Sequence, residues 1–325
     1  MLPAESLAIS VSCRFSACSS SFPNKSHVAR RSKVLRFGSV YGRRNPAIRT
    51  SGFVAQLTSG DDDRSVSVGL EFDVQFPRDY NELLDQAKQA AELAFRDNKQ
   101  SLEIEFPTAG LGSVPGDGEG GIEMTGSVQL IREFCDRFIK PEKATRTRIF
   151  FPEANEVEFA RKSAFGGSSF KLDYLTKPSL FEDFGFVTKV KMADRVKPDD
   201  EVFLVAYPYF NVNEMLVVEE LYQEAVINTR RNLIIFNGEL DRIRSGYYPP
   251  FFYPKLAALS KTFLPKLETV YYIHNFKGRN GGTLFRSYPG PWKVLRNVNG
   301  KYLCLHQQKV MPSLKEVALD ILPSS

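Results

Sequence analysis

SLEIEFPTAGLGSVPGDGEGGIEMTGSVQLIREFCDRFIK, residues 101–140, places a short apolar strand, a glycine-dense loop and an amphipathic helix in direct succession. Apolar and acidic residues alternate from Leu102 to Phe106, and Pro107 ends the run. Apolar residues then recur at helical spacing from Leu130 to Ile139. This order is the first half of a βαβ unit, so it predicts a parallel sheet. In such sheets, ligands bind beyond the carboxyl ends of the strands.

Strand and helix patterns go on alternating as far as residue 236. In this part we expect helices at 80–96, 155–165 and 214–228, and strands at 148–151, 170–175, 201–206 and 233–236. The predicted helix starts are Asp79, a capping box of Asn155 and Glu158, and Asn213. The regular alternation favours a parallel sheet with helices packed against it.

The pattern changes in the last third of the chain. Four short strands are predicted at 269–274, 283–288, 292–296 and 302–307, with Asn299-Gly300 as a hairpin turn. Ser313 and Glu316 predict a capping box for a final helix. We therefore predict an α/β fold: a mostly parallel sheet flanked by helices, with antiparallel strands added in the C-terminal third.

The first 60 residues have the composition of an organelle transit peptide. From Ser6 to Gly60 there is no Asp or Glu, while nine Lys/Arg and twelve serines are present. We expect residues 1–60 to be a chloroplast transit peptide, cleaved between about residues 50 and 61. A linker at 61–71 and a single α/β domain at 72–325 would follow. A basic arm that binds nucleic acid is the alternative reading of the same residues.

Charge argues against nucleic acid as a partner of the mature domain. Residues 1–60 carry a net charge of +8, and the whole chain carries +5, so the remainder is at about −3. An acidic domain has no general attraction for phosphate backbones. The sequence also lacks a run of eighteen consecutive apolar residues, so we expect no transmembrane span and allow only peripheral membrane contact.

Motifs for catalysis and cofactor binding are weak. Gly116, Gly118 and Gly121 match GxGxxG, but the first lies ten residues past Phe106, and the loop has two acids and no Lys or Arg to meet a diphosphate. The sequence has no P-loop, no nucleophile elbow, and no Cys/His spacing typical of a metal site. We expect no catalytic, cofactor-binding or metal-binding residues and a protein that is not an enzyme. The alternative is a nucleotide-binding or small-molecule-binding α/β domain, since catalytic carboxylates need not be adjacent in sequence.

An aromatic, proline-rich segment is the candidate for partner binding. In SGYYPPFFYPK, residues 245–255, prolines hinder strand pairing, and large rings present apolar area to a partner. The candidate partner-binding residues are Tyr247, Tyr248, Phe251, Phe252 and Tyr253. The alternative is that this segment folds back over the end of the sheet as a lid. A second candidate, a polar rim or an anion site, consists of Arg242, Arg244, Arg286 and Tyr288.

Five segments carry a family resemblance as an ordered set. They are EIEFP (103–107), VFLVAYPYFN (202–211), LIIFNGELDRIRSG (233–246), ETVYYIHNF (268–276) and LFRSYPGPWKVL (284–295). Together they resemble a domain-of-unknown-function family of plant and cyanobacterial proteins that includes the chloroplast low photosystem II accumulation factors. The resemblance covers roughly Phe72 to Ser313.

The resemblance implies a function that the residues alone do not. It implies an auxiliary factor for photosystem II biogenesis in the chloroplast stroma, partly associated with the thylakoid and chaperone-like in its action. The implied partners are the chlorophyll-binding inner antenna subunit psbC, other photosystem II assembly factors and the Albino-type membrane insertase. The resemblance supplies no catalytic residues that could be carried over to this chain.

Overall fold

In the computed structural model, nine strands of the chain form one mixed sheet within the part that the structure describes, residues 74–113, 120–176, 192–209 and 211–324. The strands are β1 Ser101–Glu105, β2 Thr147–Phe151, β3 Lys171–Tyr174, β4 Val202–Ala206, β5 Asn232–Phe236, β6 Glu268–Phe276, β7 Gly282–Ser287, β8 Trp292–Val298 and β9 Lys301–Gln308. Their spatial order is β3-β2-β4-β5-β1-β6-β7-β8-β9. The first six strands in this order are parallel, and β7 to β9 continue from β6 as an antiparallel meander. The predicted fold class is confirmed.

Helices cover both faces of the parallel part. They are α1 Tyr80–Arg96, α2 Gly120–Phe138, α3 Ala154–Lys162, α4 Met192–Arg195, α5 Glu214–Leu221, α6 Asp241–Arg244, α7 Pro254–Thr262 and α8 Leu314–Glu316. One apolar cluster joins α1, α2 and α3 to one face, and a second joins α4 to α7 to the opposite face. A third, smaller cluster joins the C-terminal turn after α8 to strands β6 to β8. None of the helices in the described ranges is long and apolar enough to cross a membrane.

The central strand β1 lies where the chain reverses its direction across the sheet. From β1 the chain builds β2 to β5 on one side, and it then passes over β1 to form β6 on the other side. The helix after β1 packs on one face, while α6 and α7, which follow β5, pack on the opposite face. Diverging connections of this kind leave an opening at the carboxyl edge of the strands. A ligand site is therefore expected beside the carboxyl ends of β1 and β5.

Local sequence signals predict some helix starts correctly and others wrongly. The Asp79 carboxylate accepts a hydrogen bond from the Glu82 N–H at 2.9 Å, and Ser313 with Glu316 forms the predicted capping box. The Asn155 box is wrong, because the N-cap is Glu153, two residues earlier, and the Asn155 side chain instead accepts from the adjacent Glu156 N–H. This helix also ends at Lys162 rather than at Phe165.

Two further predictions need correction or lie outside the described residues. Asn213 precedes α5 but makes no capping bond with its side chain, and the helix ends early, at Leu221, before one wider π turn. Gly121 belongs to the first turn of α2 rather than to a loop. Gly116 and Gly118, the transit peptide and the linker lie outside the described residues.

Candidate functional site

Four aromatic side chains project from the connection between α6 and α7. Tyr247 is 69% exposed, Phe251 88%, Phe252 71% and Tyr253 40%. We call these four residues the aromatic ridge. The rings of Phe251 and Phe252 meet edge to face with centroids 5.1 Å apart. Exposed apolar area of this size in one short segment marks an interaction site more often than scattered single residues do.

Prolines fix the shape of the ridge. The Pro249 carbonyl accepts hydrogen bonds from the N–H groups of Phe252 and Tyr253, at 3.0 and 2.9 Å, which closes a tight turn. Pro254 then occupies the first turn of α7, where its missing N–H costs nothing. The turn is thus held by the backbone rather than by packing of the rings. A partner that binds the ridge would not have to order a loose loop first.

Tyr248 differs from the other predicted partner-binding residues, because it is partly buried against the apolar cluster beneath α6 and α7. Its ring lies edge to face with the rings of Tyr247 and Tyr253, at centroid distances of 5.2 and 5.7 Å. The lid alternative therefore describes this one residue, whereas the remaining four predicted residues face solvent. Tyr248 is the base on which the aromatic ridge rests.

A shallow pocket that is open to solvent lies at the foot of the ridge. Tyr248 forms one wall, and Met215 and Leu256 contribute apolar surface from α5 and α7. Its polar side includes Glu239 and Arg242, which form an ion pair with each other. A shallow apolar pocket with a polar rim extends the apolar surface that the exposed rings offer to a protein partner.

A buried ion pair holds the helix from which the ridge emerges. Glu103 lies in the middle of β1 with its side chain fully buried. Both of its carboxylate oxygens accept from the Arg244 guanidinium of α6, at 2.8 and 2.5 Å, and one of them also accepts from the Thr269 hydroxyl at 2.5 Å. Burial lowers the pKa of Arg244, but the neighbouring Glu103 charge and hydrogen bonds outweigh it and raise the pKa. The pair joins β1, β6 and α6.

Asp241, at the start of α6, extends this network. Its carboxylate accepts a hydrogen bond from the Tyr272 hydroxyl at 2.5 Å. Burial raises the pKa of Asp241 and also that of Tyr272, whose pKa is raised further by the Asp241 charge. Beside them in β6, His274 has a pKa lowered by burial, so at neutral pH the imidazole is uncharged. Burial thus favours the uncharged form of all three side chains, Asp241, Tyr272 and His274.

Glu105, at the end of β1, is half-buried and completes the group of acids at this edge. Its carboxylate accepts from the Glu239 N–H at 3.1 Å. Burial first, and then the charges of Glu103, Glu239 and Asp241, raise its pKa well above the ordinary value. The cluster lies at the carboxyl edge beside the switch in strand order, where α/β domains bind ligands. In the described ranges, however, no group of three or more His, Cys, Asp and Glu side chains could hold a metal ion.

The Glu105 carboxyl should make stability fall as pH rises. A carboxyl whose folded pKa is raised gives stability that is fully present below its unfolded pKa and is lost as pH rises through the folded pKa. Glu105→Gln keeps an acceptor for the Glu239 N–H and cannot ionise. We expect its melting temperature to exceed that of wild type by about 2–4 °C at pH 8 and not at pH 5. Thermal unfolding at both pH values tests this, and an equal difference at the two would contradict it.

Backbone strain also concentrates at this edge. Tyr207, after β4, has a φ of +36°, and Asn237 and Glu239, after β5, have φ of +51° and +45°. Non-glycine residues rarely adopt such angles, and strain of this kind clusters at functional sites. The Asn237 side chain accepts from the buried Phe106 N–H at 3.0 Å, which ties the loop after β5 to the end of β1.

The predicted polar rim is not one site. Arg244 pairs with Glu103 and Arg242 with Glu239 near the carboxyl edge. Arg286 instead pairs at 3.0 Å with Glu268, the first residue of β6, and the Tyr288 hydroxyl donates to Asp97 at 2.6 Å. These two groups lie at the opposite end of the parallel strands. Each of the four has an acidic partner, so they do not form an anion site.

The sequence indicates the aromatic segment as a candidate for partner binding, but it does not indicate the buried network. The available signal is the presence of two acids, Glu103 and Glu105, in β1. This strand lies between β5 and β6, at the centre of the sheet. Such strands are covered on both faces, and an acid there must be paired. The ridge was found because prolines and adjacent rings are visible in sequence without knowing the fold.

Comparison with known proteins gives a family and nothing finer. The family model described as a domain of unknown function, DUF1995, matches residues 77–319. No curated protein and no solved structure matches this chain. The matched residues contain every strand, the buried network and the aromatic ridge. The chain belongs to the DUF1995 family of domains of unknown function.

Proposed function

We propose that this protein is an auxiliary factor for photosystem II biogenesis, of the low photosystem II accumulation protein 3 type. It assists assembly of the inner antenna subunit psbC through direct protein contact at the aromatic ridge. The observation that carries the proposal is four exposed rings on a turn fixed by prolines. The resemblance of the sequence to chloroplast assembly factors supplies the client.

Physical chemistry supports a holding role for this surface. A membrane subunit that is not yet assembled exposes apolar side chains, and burial of such surface against aromatic rings is favourable by about 25 cal/mol per Å². The shallow pocket at the foot of the ridge adds apolar surface from Met215 and Leu256, and Glu239 and Arg242 form its polar rim. Such contact needs no reactive group, in line with a protein that is not an enzyme.

Location and further partners follow from the same proposal. The protein would act in the chloroplast stroma, with peripheral contact at the thylakoid where psbC is inserted. The Albino-type insertase and other photosystem II assembly factors would be its neighbours there. Nucleic acid would not be a partner, because residues 61–325 are acidic overall.

Replacing both phenylalanines of the ridge tests the proposal. The variant Phe251→Ser/Phe252→Ser should bind psbC at least about 30-fold more weakly, since central aromatic anchors contribute 2 kcal/mol or more. Its melting temperature should match wild type, because both rings are exposed and outside the apolar core. Capture of detergent-solubilised psbC by the immobilised protein gives the affinity.

A matched control separates this effect from a general loss of surface apolarity. Leu319 is 60% exposed and lies far along the chain, after α8. Leu319→Ser should leave capture unchanged. Equal capture by wild type and the double ridge variant would remove the ridge from the proposal, and no capture by wild type would remove psbC as a direct client.

A second candidate function is a nucleotide or small-molecule site at the carboxyl edge. The buried acids beside the switch in strand order and the three strained residues there favour it. Thermal-shift measurements with nucleotides and small metabolites distinguish it from the first. A saturable rise in melting temperature that Glu105→Gln or Arg242→Met abolishes would favour this candidate.

A further inference from the structure

Basic charge is segregated in the antiparallel part of the sheet. From Thr269 to Lys315 the sequence contains eight Lys/Arg and no Asp or Glu. Residues 74–268, which hold strands β1 to β5 and the helices against them, contain 25 Lys/Arg and 30 Asp/Glu. We call Thr269–Lys315 the basic wing. It holds nearly all of β6 and the whole of β7, β8 and β9, so the domain has an acidic parallel part and a basic antiparallel part.

Only some of these charges serve the fold. Arg286 pairs with Glu268, and the Arg296 guanidinium donates to the Leu322 carbonyl at 2.5 Å. Lys301, the first residue of β9, and Lys309, just after its last residue, are exposed and make no ion pair among the described residues. Two exposed lysines without an ion pair among the described residues therefore lie at the two ends of β9.

That strand is the edge of the sheet. In the described part of the chain, β9 pairs with β8 alone. Asn299 and Gly300 form a two-residue turn in which Val298 faces Lys301. Hydrogen-bonded and non-hydrogen-bonded pairs alternate from that closing pair, so Tyr302 and Cys304 direct their backbone N–H and C=O groups away from β8. They form an open ladder at the rim of the basic wing.

Apolar side chains border this ladder on one face. Tyr302 stacks on Phe76 with ring centroids 4.0 Å apart, so its face of the strand is covered. Leu303 points to the opposite face and is 57% exposed, and Val298 on β8 is 47% exposed. Because Leu303 lies opposite Arg296, it is a diagonal neighbour of Val298 on this face.

We infer that the β9 edge binds an extended, acidic segment of a partner protein by adding it to the sheet as a tenth strand. Backbone groups of Tyr302 and Cys304 pair with the segment, Leu303 and Val298 take its apolar side chains, and Lys301 and Lys309 meet its acids. This mode of recognition draws affinity from the main chain and specificity from alternate side chains. It is independent of the aromatic ridge and of the client proposed for it.

Charge selects the occupant. Lysines at both ends of β9 would face basic residues if a second copy of the chain paired edge to edge, and like charges directly opposite are destabilising. A nucleic acid or an anionic membrane would need a broad basic face, but the basic wing adjoins a larger acidic part that repels polyanions. A short acidic strand contacts the wing alone.

A designed peptide provides the test. The probe is a fluorescein-labelled peptide of about ten residues that alternates glutamate and valine, and its binding to the full chain is followed by fluorescence anisotropy. A peptide of the same composition with a central proline cannot extend the sheet and should not bind. Cys304→Pro removes an outward N–H and should weaken binding at least about tenfold, with the β8–β9 pairing intact.

Charge exchange provides a second variant that does not disturb the backbone. Lys301→Glu/Lys309→Glu should bind the glutamate–valine peptide at least about tenfold more weakly and should gain binding of the matching lysine–valine peptide. That exchange of preference supports the proposal even if the proline variant fails to fold. Val310→Ser, at an exposed residue just past β9, is the control and should change nothing.

Other outcomes overturn the proposal. If the proline-containing peptide binds as well as the extended one, the wing is a charged surface and not a strand acceptor. Binding confined to an oligonucleotide or to phosphatidylglycerol vesicles would identify another partner class. If the peptide binds only after Asp61, Asp62 and Asp63 are changed to Asn, the β9 edge binds the chain's own acidic residues and not a partner. If the peptide fails to bind under all conditions, β9 is not a strand acceptor.

Discussion

Arg244→Met should cost about 3–5 kcal/mol of unfolding free energy, which is the largest effect expected at the carboxyl edge. Removing one member of a buried, hydrogen-bonded ion pair leaves the other charge buried without compensation. Here the remaining charge is Glu103, whose side chain is fully buried in the central strand. Thr269 donates one hydrogen bond to it, which does not replace two from a guanidinium. Urea unfolding at pH 7.5 gives the difference.

A double variant separates two contributions to the loss of unfolding free energy: the loss of the ion pair and the burial of an unpaired charge. Glu103→Gln in the Arg244→Met background removes the uncompensated carboxylate, so we expect it to recover at least half of the lost stability. Arg242→Met, which breaks the surface pair with Glu239, is the matched control and should cost less than about 1 kcal/mol. A loss below about 1 kcal/mol in Arg244→Met would mean that Glu103 is solvated in the folded protein.

Arg244→Met should also weaken psbC capture by more than its loss of stability explains. Arg244 is the last residue of α6, and the aromatic ridge begins three residues later, at Tyr247. Without the pair, α6 keeps the apolar packing of Ile243 and the hydrogen bond from the Tyr272 hydroxyl to Asp241, but it loses its bidentate contact with β1. Capture measured where the variant is fully folded should therefore fall, and unchanged capture would show that the ridge is positioned by the proline turn alone.

Short-range patterns predicted the elements, and long-range contacts set the site. The run from Leu102 to Phe106 and the apolar spacing from Leu130 to Ile139 are local, so β1 and α2 could be placed from sequence. Contacts between side chains of different elements could not be placed from sequence. Glu103 meets Arg244 across 141 positions of sequence, and only the strand order brings them together. The alternation in β1 alone would give Glu103 a solvent-facing side, whereas the central place of the strand buries it.

The aromatic ridge and the predicted polar rim also show that local turns can be predicted from sequence, whereas contacts between distant residues cannot. Prolines flanking Phe251 and Phe252 fix a turn within a few residues, so their exposure could be expected without a structure. Arg286 and Tyr288 were grouped with Arg242 because of residue type alone. The antiparallel meander carries them to the amino edge, where Glu268 and Asp97 bind them.

Asp200→Ala should destabilise the protein by about 3 kcal/mol and leave the candidate site untouched. The Asp200 side chain is fully buried, and it accepts from Arg148 at 2.8 Å, from the Lys171 ammonium at 2.9 Å and from the Lys197 N–H at 2.8 Å. The variant leaves Arg148 buried with only Asp173, at 3.3 Å, as a partner. Asp199→Asn, at the exposed neighbouring carboxylate that also pairs with Lys171, is the control and should change little.

The pH dependence of the Asp200 effect should run opposite to that of Glu105. Burial raises the pKa of Asp200, but hydrogen bonds from Arg148 and Lys197 outweigh it and lower the pKa overall. Its stabilisation is therefore complete above the unfolded pKa of about 3.9 and is lost as pH falls through the lower folded pKa. Wild type and Asp200→Ala should differ by a constant amount from pH 5 to 8 and converge on further acidification.

Capture measurements on Asp200→Ala distinguish the two ends of the sheet. Asp200 precedes β4 at the amino edge, whereas Arg244 lies beneath the aromatic ridge at the carboxyl edge. Since both variants lose similar stability, stability alone cannot explain a difference in psbC capture between them. We expect the fully folded fraction of Asp200→Ala to capture as wild type does, because the contacts of Asp200 with Arg148, Lys171 and Lys197 do not involve α6 or the aromatic ridge. Equal losses of capture in the two variants would mean that capture follows stability and that the carboxyl edge has no special role.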